Sequence, residues 1–532
     1  VAAFHGSIGA LDSSSRSRRE RVWLLVALTL LVGAAFPYLA SMMNANERPR
    51  ILQAIAWVDT GELRVDGVGA RGIDPGIDLA RSPVDGHLYP NKPPGATVPA
   101  IVAYSLVSAV SDSTSLRDVT RAARLFGGVL PTILLCWFLL RQGATRSEPR
   151  WTTAAVVLYV MATPALSYGR LLFGPPLTAL LLTVGVAWLV APGTDAPRLR
   201  TFAGGMLAGA AVTVEYAAVF AGVPIAVYLL QAWWRDRDHA RLGSALAGAM
   251  VPIVGLAAYH AAVFGSPLAT GYHHATQVRF AQTHAQGLLG LGLPTAHSLY
   301  EHLLSPWGGL LVWAPLWALA AVVAGLTWRR ASAEARLGAA IFGVMLMVNL
   351  GLQQTGGWRV GPRYLVGFFP LLLPAVIELL RAAVRRPLLG VAVVALAGWS
   401  LAANFLAAHL FPHLIDKGNP LADQLLPLWL DGKAPYNWLS PLLGPVGSLH
   451  ALELLALAVV GWALWRLPWG EARSRVLGLG LLGAIVSFVV GLAPASADDA
   501  PYNLEAIESI WEPTVGGNRI TIVIEPLAQD TR

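Results

Sequence analysis

From residue 22 to residue 496 the chain is a succession of apolar runs, each about the length of a membrane span, separated by short polar joints. A bilayer core has no water to satisfy free backbone N–H and C=O groups, so such runs must be helices or strands of a closed barrel. Barrel strands alternate apolar and polar residues, and these runs are continuous. The expectation is therefore an all-α polytopic membrane protein. Charged residues make up only 13% of the 532, and the single cysteine, Cys136, lies inside an apolar run, so neither a disulfide framework nor a cysteine metal site is available within one chain.

The formal charge of +7 comes from short basic clusters between the runs. These are Arg16/Arg18/Arg19/Arg21, Arg141/Arg146/Arg150, Arg198/Arg200, Arg235/Arg237/Arg241, Arg329/Arg330/Arg336, Arg381/Arg385/Arg386 and Arg466/Arg473/Arg475. Under the positive-inside rule all face the cytoplasm, and a nucleic-acid partner is not indicated. Spans fall at 22–42, 121–140, 152–168, 173–191, 201–214, 216–233, 242–263, 309–328, 337–352, 364–381, 388–410, 449–466 and 476–495. That makes about thirteen crossings. The N-terminal residues 1–21 are then cytoplasmic, and the tail 497–532, rich in Asp498, Asp499, Glu505, Glu508, Glu512 and Glu525, lies outside. The apolar stretch 94–111 breaks the alternation if it crosses, so it is expected to be a re-entrant or incompletely crossing helix.

Polar chemistry collects in the outer segments: a long first loop at 43–93, then 168–173, Glu215, 264–308, 353–363 and 412–448. In "NANERPRILQAIAWVDTGELRVDG" (44–67), Glu47 and Arg48 open a short amphipathic helix whose Ile51, Ile55 and Trp57 can lie on the interface. Helix-start chemistry alone also explains an acid there. In "DGHLYPNKPPG" (85–95), Asp85-Gly86 reads as a turn, Tyr89-Pro90 as an extended link and Pro93-Pro94 as the stiff first turn of a helix. Lys92 is held just before that helix start, where an anion is favoured; a lysine reaching for the interface is the plainer alternative. A carboxylate can take a proton from a hydroxyl and fixed positive charge can hold a phosphate, and Glu47 and Lys92 are groups of these two kinds. Arg359, Arg363 and Tyr364 in "GWRVGPRY" can add to a phosphate clamp or contact headgroups. Glu215 in "VTVEYAAVF" is an acid within span-length apolar sequence, or else an acid at a turn. Arg170 sits at an outer turn, and His273 opens a run of histidines whose spacing matches no zinc site.

The ordered set of a first span, an acid just beyond it, a long outer loop and a "Y-x-x-K-P-P" entry into the next helix resembles the GT-C membrane glycosyltransferases. The likeness is to the clan of protein O-mannosyltransferases and aminoarabinose transferases, glycosyltransferase family 39-like. "ATPALSYGRLLFGPPLTALLL" (162–182), "FGSPLATGY" (264–272), "LLSPWGGLLVWAPLWALA" (303–320) and "GGWRVGPRYLVGFFPLLLPA" (356–375) extend it over most of 22–382. Beyond it lie the C-terminal helices of 383–496, with the loop 412–448 between them.

This resemblance implies a GT-C fold with juxtamembrane helices in the first outer loop. It implies a transferase that moves a sugar from a polyprenyl-phosphate donor to a lipid, glycan or protein acceptor, on the outer face of a bacterial cytoplasmic membrane. By the same likeness Glu47 takes the place of the first-loop acid that acts as catalytic base or orients the acceptor, Lys92, Arg363 and Arg359 meet the donor phosphate, and Arg48, Asp85, Tyr89, Arg170, Glu215, His273 and Tyr364 contact substrate. Two positions depart from the family pattern: its frequent aspartate-glutamate pair is Asn46-Glu47, and the acid often preceding the lysine is Asn91. A divalent metal is thereby unsupported, and no cofactor follows from the sequence. The partners expected are the lipid-linked donor, membrane lipids and an acceptor the sequence does not identify. Rival readings are a transporter or lipid flippase, against which no internal repeat is found, and a non-catalytic scaffold of the same fold. The Asp-x-Asp in "RDRDH" (235–239) lies in a short basic turn and reads as a solvated loop.

Overall fold

The computed structural model describes residues 2–34, 45–69, 73–111, 114–145, 148–190, 198–284, 290–353, 357–415, 418–491, 500–511 and 523–524. Residues 35–42 of the first expected crossing, Arg146, the side chain of Arg16, and the tail acids Asp498, Asp499, Glu512 and Glu525 lie outside the described set.

The described chain is an all-α polytopic membrane protein. Seven helices are long and apolar enough to cross a membrane: Leu116–Thr145, Tyr216–Asp236, His239–Phe264, Ala333–Gly351, Pro387–His409, Ser440–Trp465 and Gly470–Gly491. Each overlaps one of the crossings expected from the sequence. Shorter helices at Pro149–Met161, Gly174–Val190 and Arg198–Val214 overlap three more. The first helix, Ala2–Gly33, starts well before the expected boundary at residue 22. Where helices lie closest they meet on small residues: a Cβ at Gly205 or Gly248 would strike the Ala245 or Phe202 carbonyl, so Arg198–Val214 and His239–Phe264 touch almost backbone to backbone.

The helices share two unlike ends. At one, the arginine clusters gather: Arg381 pairs with Glu148, Arg466 with Glu20 at 2.7 Å, and Arg241 donates to the Leu189 carbonyl. At the other end Arg170 ties the first helix to Pro387–His409, donating to the Leu31 and Ala408 carbonyls. The tail joins this second end, where Lys433 pairs with Glu508 at 2.6 Å and the Trp511 indole donates to the Leu410 carbonyl.

A separate layer covers the second end. Its centre is the juxtamembrane helix Glu47–Thr60, closed by Gly61 in the left-handed conformation (φ 74°) with its N–H on the Trp57 carbonyl. The expectation that Ile51 and Ile55 lie on the membrane interface is corrected. Both are buried in a second core with Leu52, Ala100, Ala103, Tyr104, Leu116 and Val119, because the hairpin of Pro94–Val110 and the start of Leu116–Thr145 folds over them. Trp57 remains exposed. Pro94–Val110 begins and ends at this same end of the molecule: Gly95 touches Thr213, and Thr114–Ser115 pairs antiparallel with tail residues Val523–Ile524. That course keeps the alternation of the other helices intact.

Two short strands, Leu79–Arg81 and Leu88–Pro90, form an antiparallel hairpin with Ala80 opposite Tyr89. Its turn contains the expected Asp85-Gly86, with Gly86 at φ 77°. The segment after His239–Phe264 docks on the open edge: Arg81 N–H donates to the His274 carbonyl and Thr276 N–H to the Leu79 carbonyl.

Candidate active site

The covered end gathers charge that is remote in sequence. Glu47 stands in the first turn of its helix and is almost fully buried. The Arg124 guanidinium grips it with Nε on Oε1 at 2.8 Å and an Nη on Oε2 at 2.6 Å, and Leu172 N–H donates to Oε1 at 2.8 Å. Burial alone would raise the carboxyl pKa. The charge and hydrogen bonds of Arg124, the neighbouring His413 and the Leu172 N–H together bring it below the ordinary range. His413 itself is pushed down to about 3, chiefly by burial against the pull of Glu47. Arg124 directly precedes a π-turn at Leu125–Val129. Gly127 and Gly128 in that turn let the 169–172 strand of backbone approach, a Cβ on Gly128 falling 2.7 Å from the Leu171 carbonyl.

Three residues after Glu47 on the same helix face, Arg50 is also buried and donates to the Leu172 carbonyl at 3.0 Å. The Glu215 and Asp78 carboxylates, the Arg363 guanidinium and Tyr272 are all near enough to act on its charge. Arg363 opens the helix Arg363–Val366, reaches Asn46 Oδ1 at 3.3 Å, and lies over the rings of Phe173 and Tyr364 at 5.2 and 5.3 Å. Asn46, one of the two departures noted above, thus holds an arginine.

Lys92 follows the hairpin and precedes the 3₁₀ turn Pro94–Thr97. Its Nζ lies 3.4 Å from Asp78 Oδ2 and over the rings of Tyr272 and Phe280 at 5.0 and 4.8 Å. The "FGSPLATGY" stretch makes this box possible. A Cβ at Gly271 would come within 2.7 Å of the Asn91 backbone, so only glycine lets Tyr272 close over the lysine. Glu215 occupies the break between Arg198–Val214 and the 3₁₀ turn Tyr216–Ala221, and is buried. Its Oε2 lies 2.5 Å from where a Cβ of Gly174 would be.

The other expected residues are placed as follows. Arg359 is buried over the Trp307 ring at 4.3 Å, and none of its three guanidinium nitrogens has a hydrogen-bond partner among the described residues. Tyr364 is half-buried beside Arg363. Arg48 is turned toward Asp74, 3.0 Å away, and Arg170 is engaged by carbonyls and His409. Asp85 accepts from the Tyr89 hydroxyl at 2.7 Å within the hairpin turn, and His273 is exposed with Nδ1 on Thr270. Arg50, Asp78, Arg124, Tyr272 and His413 join the site unforeseen. Arg124 alone carried a signal, being an arginine inside a run expected to cross the membrane. His413 comes from the irregular segment after Pro387–His409, beyond residue 382, so the C-terminal part of the chain also furnishes the site.

No protein-family model matches the chain, and no curated protein matches it significantly. Among solved structures it is similar to ArnT from Cupriavidus metallidurans in the apo state, at 14% identity over 88% of this chain and 76% of that one, with a TM-score of 0.45. It is similar to the same protein bound to undecaprenyl phosphate at 16% identity, with the same coverage and a TM-score of 0.44. It is also similar to the arabinosyltransferase EmbB from Mycobacterium smegmatis at 13% identity, over 89% of this chain and 40% of that one, with a TM-score of 0.42.

Proposed function

We propose that this protein is a membrane glycosyltransferase that moves a sugar from a polyprenyl-phosphate donor to an acceptor on the non-cytoplasmic side. The observation that carries the reading is the gathering of Lys92, Arg50, Arg363, Glu47 and Glu215, from four separated stretches of sequence, at the end of the bundle opposite the arginine clusters. By the positive-inside rule, that end faces outward. Buried charge of this kind is costly to assemble in a membrane protein, and it is maintained where it acts.

In this reading the donor's tail lies among the helices and its phosphate lies against Lys92 and Arg363. Fixed cations there stabilise the charge that grows on the phosphate oxygen as the anomeric bond breaks, without having to reorganise. The aromatic rings of Tyr272, Phe280, Phe173 and Tyr364 hold those cations in place from the other side. The acceptor hydroxyl attacks from the face opposite the phosphate, which inverts the anomeric centre. A carboxylate of the site receives its proton.

The test is consumption of radiolabelled polyprenyl-phosphate hexoses and pentoses by the purified protein. Wild type consumes at least one of them. Lys92→Ala lowers that rate by about 10²–10³-fold, the usual cost of losing one preorganised charge partner. A Lys92→Ala protein of native melting temperature that consumes donor at the wild-type rate overturns the reading.

A further inference from the structure

We infer that Glu215, rather than Glu47, takes the proton from the acceptor hydroxyl, with Glu47 acting as a positioning residue through Arg124 and Leu172. The inference rests on the transferase reading above and names its base.

The three buried carboxylates of the site differ in what they already hold, and Asp78 is paired with Lys92 at 3.4 Å. Glu47 accepts three N–H groups from Arg124 and Leu172. Every such bond favours the ionised form and lowers the proton affinity a base needs. It also ties together three parts of the fold, which is a structural task. The Glu215 carboxylate accepts no hydrogen bond from the described residues. Its place before the Tyr216–Ala221 turn is one where an acid usually caps the helix, yet its side chain makes no capping bond. Instead the carboxylate turns toward the start of the helix Gly174–Val190, where any residue larger than Gly174 would exclude it. A buried acid that neither caps, pairs closely nor coordinates needs an explanation in function.

Its neighbours supply one. Arg50, Arg363 and Tyr272 all feel its charge, and they come from three different elements packed around it. In the transfer step the acceptor oxygen bonds to the anomeric carbon, the bond from that carbon to the phosphate oxygen breaks, and its electron pair stays on the phosphate. The acceptor proton passes to Glu215. One negative charge disappears from the carboxylate as one appears on the phosphate, so Arg50 and Arg363 face the same total charge throughout.

The experiment uses the intact protein in lipid vesicles with the labelled donor that wild type consumes, and undecaprenyl phosphate as a binding probe. Glu215→Gln lowers kcat about 10²-fold or more, leaves undecaprenyl phosphate affinity within about twofold, a margin well inside one hydrogen bond, and removes the acid limb of the kcat–pH profile. Glu215→Asp keeps part of the rate, with the limb displaced. Glu47→Gln lowers the melting temperature and the rate but leaves the limb at the same pH. The assignment is overturned if Glu215→Gln keeps half or more of the wild-type kcat, if it loses carrier affinity in step with rate, or if the acid limb vanishes in Glu47→Gln and persists in Glu215→Gln. A wild type that consumes no donor overturns the transferase reading, and this assignment with it; an active wild type with an unimpaired Glu215→Gln overturns the assignment alone.

Discussion

At the scale of single residues, the Glu47–Arg124 pair shows why a charge in a greasy chain is tolerated. Two ions taken from water regain the lost solvation only through close, multiple hydrogen bonds, and this pair has them from Arg124 and from Leu172 N–H. Removing one partner strands the other, so Arg124→Met costs about 3–5 kcal/mol of stability. The double variant Glu47→Gln with Arg124→Met recovers much of it, which a double-mutant cycle of melting temperatures reads directly. Acid acts on the same cluster. Glu47 has a lowered folded pKa, so its stabilisation is present above the ordinary carboxyl range and is lost as pH falls through the folded value. His413 titrates at about 3 when folded against 6.5 in the open chain, so the unfolded state binds the extra proton throughout that window. Stability therefore declines as pH drops from 6.5 toward 3. His413→Gln flattens the upper part of that decline in melting temperature, between pH 6.5 and 5, where carboxyls scarcely titrate.

At the scale of elements, close approaches of backbone decide the site's shape more than helix propensity does. Gly271 lies against the Asn91 backbone and Gly174 against Glu215. Gly271→Ala forces the 264–276 segment off the hairpin edge that it joins through His274 and Thr276. The strain is about 1–3 kcal/mol, and the expected result is weaker undecaprenyl phosphate binding from a misplaced Tyr272 with little change in helix content by circular dichroism. The π-turn at Leu125–Val129 acts at the same scale, its glycines letting the 169–172 backbone reach Glu47. Such a turn has no signature in hydropathy, since Leu125–Val129 reads as part of one uninterrupted apolar helix.

At the scale of the whole molecule, a bundle with one basic end is capped at the other by a layer with its own small core. The hairpin formed by Pro94–Val110 and Leu116–Arg124 belongs to this cap, and its turn pairs with the tail. Cysteines placed singly at Val84, in the exposed hairpin turn, Lys433 and Arg237, in a Cys136→Ala background, report the arrangement in intact cells. Val84→Cys and Lys433→Cys react with a membrane-impermeant thiol reagent and Arg237→Cys does not. Labelling of Arg237→Cys together with protection of Val84→Cys would reverse the proposed orientation.

The sequence by itself determined the helical membrane class, the basic joints at one end, and the turn at Asp85-Gly86, because hydropathy, arginine placement and glycine φ preference are local properties. It also marked Glu47, Lys92, Glu215, Arg359 and Arg363 as costly charges. It could not say which of them meet, or that Lys92 is met by Asp78, Glu47 by Arg124, and Asn46 by Arg363. Those pairings join residues tens to hundreds of positions apart. Only packing, through the small contact faces at Gly128, Gly174 and Gly271, settles which charges come within reach and which carboxylate is left with its lone pairs uncommitted.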